Sequence, residues 1–444
     1  MTRRTLEKSG AQIGFENLEA MANSRGSETQ LFSRAGHVRG VGKGCENVQL
    51  LAVDWNLHRR ILRSPRSIPA VALRNSEEPS LLGELKLMFV LGREAHGVVR
   101  PLLGRDRMRF AKRKNPQPYP SVVRSTLNIG YVPTIDCALI IAAQELGLFH
   151  RHGLDVALSR EVGWAAIRQK LLHEELDAAG AHASMLFSIY CGLGVVRRQC
   201  LTGLMFGLNG SAITLSNVLW KLGVRDAVTF GALVRQLKGR RTFTFAVVLG
   251  LSSQNYNLRE WLRSGGIDPE TDVRIEVIPS SLVYDSFRDG YLDGYCVAEP
   301  WNSAAILGGS GWVVLTSGEV KSKPHPEKVL LVLQEFAEKR EEEHVRLIAA
   351  LIEAGAFCAQ LANRPELARI LAGRRYFDVP EEHLRNSLVG PFYTGRIQRP
   401  VPDFVLYDAT KIGAPSRAVG RWVYDLVRDL GPQPVPSALR PDVI

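Results

Sequence analysis

Residues 130–185 read GYVPTIDCALIIAAQELGLFHRHGLDVALSREVGWAAIRQKLLHEELDAAGAHASM. The apolar run Leu127–Val132 leads into this stretch and predicts a strand. Asp136–Leu148 carries apolar residues at 138, 140, 141, 146 and 148 and closes at Gly147, which predicts a helix. Leu154–Ser159 reads as a second strand. Trp164–Glu175 is amphipathic, with Ile167, Leu171 and Leu172 on one face. Leu176–Ala181 begins a third strand, and Met185–Gly192 another helix. Strands that alternate with helices on such short linkers predict parallel pairing through right-handed crossovers.

Downstream, further β content is expected at Gln199–Leu208 and Ser211–Leu215, followed by a second α/β set. Phe230–Leu237, Ser252–Ser264 and Leu282–Gly290 read as helices; Thr242–Leu249, Val273–Ile278 and Asp293–Ala298 read as strands. Gly265-Gly266 supplies a left-handed helix end. Trp312–Leu315 is a strand and Glu343–Ala362 a long helix, with Val345, Ile348, Leu351 and Ile352 on one stripe. Gly355 interrupts that stripe and weakens the expectation for the helix's second half. No period of 20–50 residues recurs, which argues against a solenoid.

A chain of 444 residues exceeds one ordinary domain. Its formal charge is +11, and residues 1–124 hold 22 Lys and Arg against 11 Asp and Glu, which is the entire surplus. The rest of the chain is neutral, so no direct nucleic-acid binding is expected of the main module. Residues 1–124 have poor periodicity and end in the basic cluster Arg105–Lys114 and a proline-rich linker. Three readings are open for them: a poorly structured basic extension, translated upstream sequence with initiation near Met108, or a binding arm. No apolar run reaches 18 residues, so no transmembrane helix is predicted. The N-terminus lacks the apolar core of a secretory signal, which favours a cytoplasmic location over a periplasmic or inner-membrane-attached one. Six cysteines, Cys45, Cys137, Cys191, Cys200, Cys296 and Cys358, form no CxxC pair and no zinc-ligand spacing. No metal or cofactor is expected.

Two α/β sets of similar size imply two lobes around a cleft. Such clefts gather helix N-termini, whose positive dipole ends favour an anion. Walker A, HExxH and GxSxG motifs are all missing, which argues against the corresponding enzymes.

The opening stretch resembles the start of nitrate- and bicarbonate-binding proteins of ABC importers and their nitrate-sensing relatives. Further blocks follow in the same order: LSREVGWAAIRQKL (158–171), LDAA (176–179), NGSAITLSNVLW (209–220), LREWLRSGGIDPETDVRIEVIP (258–279), LDGYCVAEPWN (292–302) and HPEKVL (325–330). The resemblance covers about Thr126 to Tyr393. It implies a type II periplasmic-binding-protein fold, two α/β lobes joined by crossover strands. The expected layout is a basic extension at 1–124 and a two-lobed module at 125–415, followed by a C-terminal helix and tail at 416–444. Lobe 1 would take about 125–212 and 300–415, and lobe 2 about 213–299.

The resemblance also implies ligand contacts, each set beside a plainer role. Thr134 begins the first helix beside the cleft, or simply caps it. Trp164 offers an indole N–H and an apolar wall, or fills core. Gly210 permits close backbone approach and Ser211 offers a hydroxyl, in the segment Asn209–Ile213, or the two make a turn. Gln254 stands where relatives often carry histidine. Gly180 occupies a second histidine position, and His182, on the same strand face, is its substitute or a structural histidine. Arg288, in SFRDGYLDG, would supply a guanidinium fork for a planar oxyanion, which favours nitrate or nitrite over bicarbonate; its plain reading is a surface arginine. Two functions fit: a soluble nitrate sensor that controls an RNA-binding antiterminator, or the substrate-binding component of a nitrate, bicarbonate or sulfonate ABC importer, partnered by a permease. The missing signal favours the sensor. Pyrimidine-precursor synthases of thiamine biosynthesis share this fold, but their cysteine-rich iron motif is absent.

Overall fold

A computed structural model describes residues 126–322, 326–407, 409 and 412–430. The basic extension expected at 1–124, Cys45 and residues 431–444 lie outside them.

The chain begins with strand β1 (Leu127–Tyr131), a 3-10 turn (Ile135–Cys137) and helix α1 (Ala138–Glu145). Strand β2 (Val156–Arg160), helix α2 (Trp164–Leu172), strand β3 (Ala178–His182) and helix α3 (Ala183–Cys191) follow. The expected β content at 199–208 shrinks to two short strands, β4 (Cys200–Leu201) and β5 (Leu208–Asn209). The chain then enters a second sheet through β6 (Ser211–Ser216). That lobe continues with α4 (Asn217–Lys221), α5 (Ala227–Gln236), β7 (Phe243–Val247), α6 (Ser253–Ser264), β8 (Val273–Val277), α7 (Ser280–Arg288), β9 (Gly294–Ala298), α8 (Trp301–Leu307) and β10 (Gly311–Thr316). Strand β11 (Lys328–Leu333) returns to the first sheet. The remainder holds α9 (Glu341–Ala359), α10 (Arg364–Ala372), α11 (Glu381–Leu388), the hairpin β12 (Phe392–Tyr393) and β13 (Gln398–Arg399), β14 (Val405–Leu406) and α12 (Arg417–Leu430).

The first sheet runs β2-β1-β3-β11-β4 and the second β10-β6-β9-β7-β8. Pairing is parallel where the βαβ units predict it, between β1 and β2, β1 and β3, β7 and β8, and β7 and β9. It is antiparallel around β6 and β11, the strands that carry the chain between lobes. Purely parallel pairing therefore fails at the crossings, where no right-handed helical connection sets direction. Strand β10 pairs with β6, so the chain leaves the second sheet after Thr316 rather than at residue 299.

Burial follows strand position. AAGAH in β3 and KVLLVL in β11 are covered on both faces, whereas the edge strand β2 stays partly open. On one face of the first sheet, Ile129, Leu330 and Val332 pack against α1 and α9 through Ile140, Ile348 and Leu351. On the other, Ala179, Ala181, Val329 and Leu331 meet Ile167 and Leu171 of α2. Helix α9 runs unbroken through Gly355, against the expectation of a weakened second half. A Cβ there would stand 2.6 Å from Ala409 Cβ and 3.3 Å from the Tyr407 carbonyl oxygen, so the glycine serves the close approach of these two residues. Helix α6 starts where the Ser252 hydroxyl accepts the Asn255 N–H, and Gly266 at φ +72° lies just beyond its end.

Candidate functional site

Lys328 opens β11, and its side chain is fully buried. Its ammonium lies 3.0 Å from Asp136 Oδ2 and 3.3 Å from Glu327 Oε2. It also stands 5.1 Å from the centre of the Trp164 ring, within cation–π range. Burial opposes the charge, but Asp136 and Glu327 together hold the lysine above its usual pKa. Burial pushes the Glu327 carboxyl up to about 7, with Lys328 opposing and Asp136 reinforcing the rise. The trio thus carries one firm cation and little or no net positive charge.

Glu327 also joins the lobes. It accepts the Ser253 hydroxyl of α6 at 2.8 Å and the Ser211 hydroxyl of β6 at 3.2 Å. A second interlobe contact lies opposite, where a Cβ at Gly163 would stand 3.4 Å from Pro279 Cβ, just ahead of α7. The first turns of α2 and α6 thus reach the Lys328 group through Trp164 and Ser253, α3 starts after His182, which packs on Trp164, and α7 starts after Pro279, which faces Gly163. Helix N-termini present free N–H groups and a positive dipole end, so their convergence favours an anion.

Several polar atoms in these turns are buried without a hydrogen-bond partner: Trp164 Nε1, both ring nitrogens of His182, Ser184 Oγ, Gln254 Oε1 and Ser280 Oγ. Buried polar groups of this kind need a partner, and a cluster of them is unusual in a packed core. The His182 ring meets Trp164 edge-on at 4.5 Å between centroids. Burial first, and Lys328 second, drive the His182 pKa well below its usual value. His182 is therefore neutral at physiological pH and offers one N–H and one acceptor, not a charge.

The sequence-expected residues divide as follows. Trp164, His182 and Gln254 contribute uncommitted polar atoms to the group. Thr134 is buried at the start of the 3-10 turn that carries Asp136; its hydroxyl makes a long 3.5 Å contact with the Val132 carbonyl and also bonds the Cys137 thiol. Ser211 belongs to the group through Glu327, to which its hydroxyl is committed. The Gly210 N–H donates to the Phe404 carbonyl at 2.6 Å and so is not offered to a ligand. Its φ of +93°, and the 3.2 Å from a Cβ to Asp136 Oδ1, explain why glycine stands there. Gly180 is a packing glycine: a Cβ would reach within 2.8 Å of Phe206 and 3.2 Å of Cys137 Sγ. Arg288 does not join the group. Its side chain is 50% exposed at the end of α7 and pairs with Asp285 at 2.8 Å and Asp289 at 3.1 Å. The cation at the cleft is Lys328, and the preference for nitrate drawn from Arg288 loses its support.

Asp136, Ser184, Ser253, Ser280, Glu327 and Lys328 were not among the expected residues. One signal was present: HPEKVLLVL places Glu-Lys directly before a strand that is otherwise wholly apolar. A charged residue at the mouth of such a strand needs a buried partner or a cleft. Among the described residues no cluster of His, Cys, Asp and Glu is placed to hold a metal ion, and all five described cysteines are free.

Two α/β lobes joined by crossover strands define the periplasmic-binding-protein fold. The family model described as the NMT1-like family matches residues 123–372, more than half of the chain, and the protein belongs to that family. It is 36% identical over 263 residues to the bicarbonate transport ATP-binding protein CmpC of Synechococcus elongatus, covering 59% of this chain and 39% of that one. It is 28% identical over 285 residues to the bicarbonate-binding protein CmpA of the same organism, covering 61% of this chain and 62% of that one. The chain thus spans less than two thirds of either relative. The periplasmic nitrate-binding protein NrtA from Synechocystis PCC 6803 shares the fold, with a TM-score of 0.66 at 22% identity, over 72% of this chain and 87% of that one.

Proposed function

We propose that the chain is a non-enzymatic receptor that closes its lobes on a small trigonal oxyanion. One observation carries this reading: buried polar atoms without partners, Trp164 Nε1, the His182 ring nitrogens and Gln254 Oε1, lie on helix starts linked to the buried Lys328 through Trp164 and Glu327. Bicarbonate fits the hydrogen-bonding groups better than nitrate or nitrite, although all three carry the same single charge. Two carboxylates sit beside the single ammonium, so a bare anion meets little surplus positive charge. Bicarbonate brings its own O–H, which the Gln254 carbonyl oxygen or a His182 ring nitrogen can accept. The names of CmpC and CmpA support the same ligand class. Calorimetry of the full chain with bicarbonate, nitrate and nitrite tests this. Saturable heat with bicarbonate, and binding at least tenfold weaker for nitrate, is expected. Tighter nitrate binding would reverse the ligand order, and no heat with any of the three would reject the receptor reading.

A sensing role is favoured over delivery. The sequence carries no Walker A loop, yet it is more alike to a portion of an ATP-binding import protein than to CmpA, at 36% against 28% identity. What it shares with CmpC is therefore not that phosphate-binding loop. An anion-reading module that reports occupancy to a partner, such as an RNA-binding antiterminator, accounts for that likeness. Delivery to an ABC permease is the second reading, favoured by the likeness to CmpA. Cell fractionation separates them: sensing expects the protein in the cytosol, and recovery from the periplasm would favour delivery.

A further inference from the structure

Glu327 stands directly before β11 and reaches from the first lobe's returning segment into the second lobe. Only 2% of the residue is exposed. Its two oxygens are held differently. Oε1 accepts the Ser211 hydroxyl of β6 at 3.2 Å. Oε2 accepts the Ser253 hydroxyl of α6 at 2.8 Å and lies 3.3 Å from the Lys328 ammonium. Asp136 takes the nearer place beside that ammonium, at 3.0 Å. Two carboxyl groups thus share one cation in a buried site.

Among the described residues, the charged groups that act on the Glu327 carboxyl are Lys328 of its own segment and Asp136 of the 3-10 turn. Cys296 of β9 faces it as a neutral thiol, held well above the usual range by burial first and by Glu327 second. His182 of β3 is in register with Lys328 and is neutral. With Glu327 ionised, one positive and two negative charges leave one negative charge in surplus. A bound oxyanion would double that surplus, and like charges in a buried site repel strongly. A proton on Glu327 cancels the added charge. The contacts accommodate it without breaking. The Ser211 hydroxyl can turn to accept an O–H on Oε1, while Oε2 still accepts from Ser253 and Lys328.

We propose that Glu327 is a proton site linked to the anion site: the receptor takes up one proton, on Glu327 Oε1, with each oxyanion it binds. This inference rests on the reading of the cleft as an oxyanion receptor and adds that pH sets its affinity. Proton and anion both come from solvent, and the load is neutral overall. Burial already lifts the Glu327 carboxyl to about 7, and a neighbouring anion lifts it further. Anion affinity is therefore flat in mild acid and falls as pH rises above about 7, by up to about tenfold per pH unit.

The test is calorimetry of the full chain with bicarbonate and with nitrate, at about pH 8, in imidazole and in Tris. Both buffers are cationic and do not compete for the site. The two binding heats differ by the number of protons taken up times the difference in buffer ionisation heat. Uptake of about one proton per anion is expected. Nitrate keeps its charge over this range, so it controls for titration of bicarbonate itself. Glu327→Gln keeps the side chain's shape and loses its proton site. It should show no uptake and no pH dependence, and at about pH 8 should bind about tenfold more tightly than the wild type. Loss of a merely structural contact would instead weaken binding at every pH. The proton count is read on the unaltered chain, so it stands even where the variant fails to fold. Anion binding without proton uptake would overturn this inference and leave the receptor reading intact. Uptake that persists in Glu327→Gln and vanishes in His182→Asn would assign the proton to His182 and also overturn it. No heat with either anion would reject the receptor reading, and this inference with it.

Discussion

The two lobes bring different chemistry to the cleft. The first contributes charge and aromatic surface: Lys328, Asp136, Glu327, Trp164 and His182. The second contributes neutral groups at helix starts: Ser253, Gln254 and Ser280. A charged, fully buried cluster needs no ligand to hold its shape, because each ion already has a partner. Ser253 already bonds Glu327 across the lobes, but the Gln254 carbonyl oxygen and the Ser280 hydroxyl hold nothing until something fills the gap. On the proposed reading the first lobe is a prebuilt floor, and the second a lid whose closure an anion would stabilise by differential contact.

The sharpest way to break this contrast is Lys328→Met. Removing the ammonium leaves Asp136 and Glu327 buried without their cation, and stability should fall by about 3–5 kcal/mol. Chemical denaturation measures it, and adding Glu327→Gln should recover part of the loss. An unchanged midpoint would mean that the floor is not a charged cluster.

Next in size is a pH effect at Glu299, directly after β9. Burial lifts the Glu299 carboxyl to about 8, with hydrogen bonds from Ser303 opposing. The folded state therefore keeps a proton that the unfolded chain releases above pH 4.5 or so. Stability from this group is full below that pH and is lost as pH rises towards 8. Thermal unfolding should show a midpoint that falls across this window, by the equivalent of a few kcal/mol. Glu299→Gln should flatten the fall. Glu327, lifted to about 7, adds to the same slope. A midpoint that rises with pH would contradict both.

Smaller effects separate floor from lid. Trp164→Phe keeps the apolar wall but removes the indole donor, so anion affinity should drop by about 1–2 kcal/mol with little change in stability. Ser253→Ala removes one interlobe hydrogen bond and should speed ligand release, at a cost of about 1 kcal/mol, measured by stopped-flow fluorescence. Arg288→Ala should leave affinity within twofold, because its guanidinium is engaged with Asp285 and Asp289 at the surface. A large loss there would restore Arg288 to the site.

Much of the fold was legible because period and length agree. The alternation at 127–192 and again at 230–298 fixed helices and strands within a few residues. The crossing strands misled, because β6 and β11 look like their parallel neighbours in composition; only their partners differ. The site was read less well for a related reason. Asp136 and Lys328 lie 192 positions apart, and nothing local in either segment announces the other. Arg288 attracted attention through block similarity alone, while Asp285 and Asp289 beside it already marked a solvated helix end. Trp164 and His182 were named through the resemblance, and the βαβ pattern agrees with it in putting one at a helix start and the other at a strand end.

The floor-and-lid account is tested most directly at Trp164. With the tryptophan indole groups of the full chain labelled with nitrogen-15, bicarbonate should shift the Nε1–H resonance of Trp164, assigned through Trp164→Phe, in a saturable manner. The indoles of Trp220 and Trp312, away from the cleft, should stay in place. A Trp164 resonance that does not move while calorimetry reports binding would place the anion elsewhere and contradict the account.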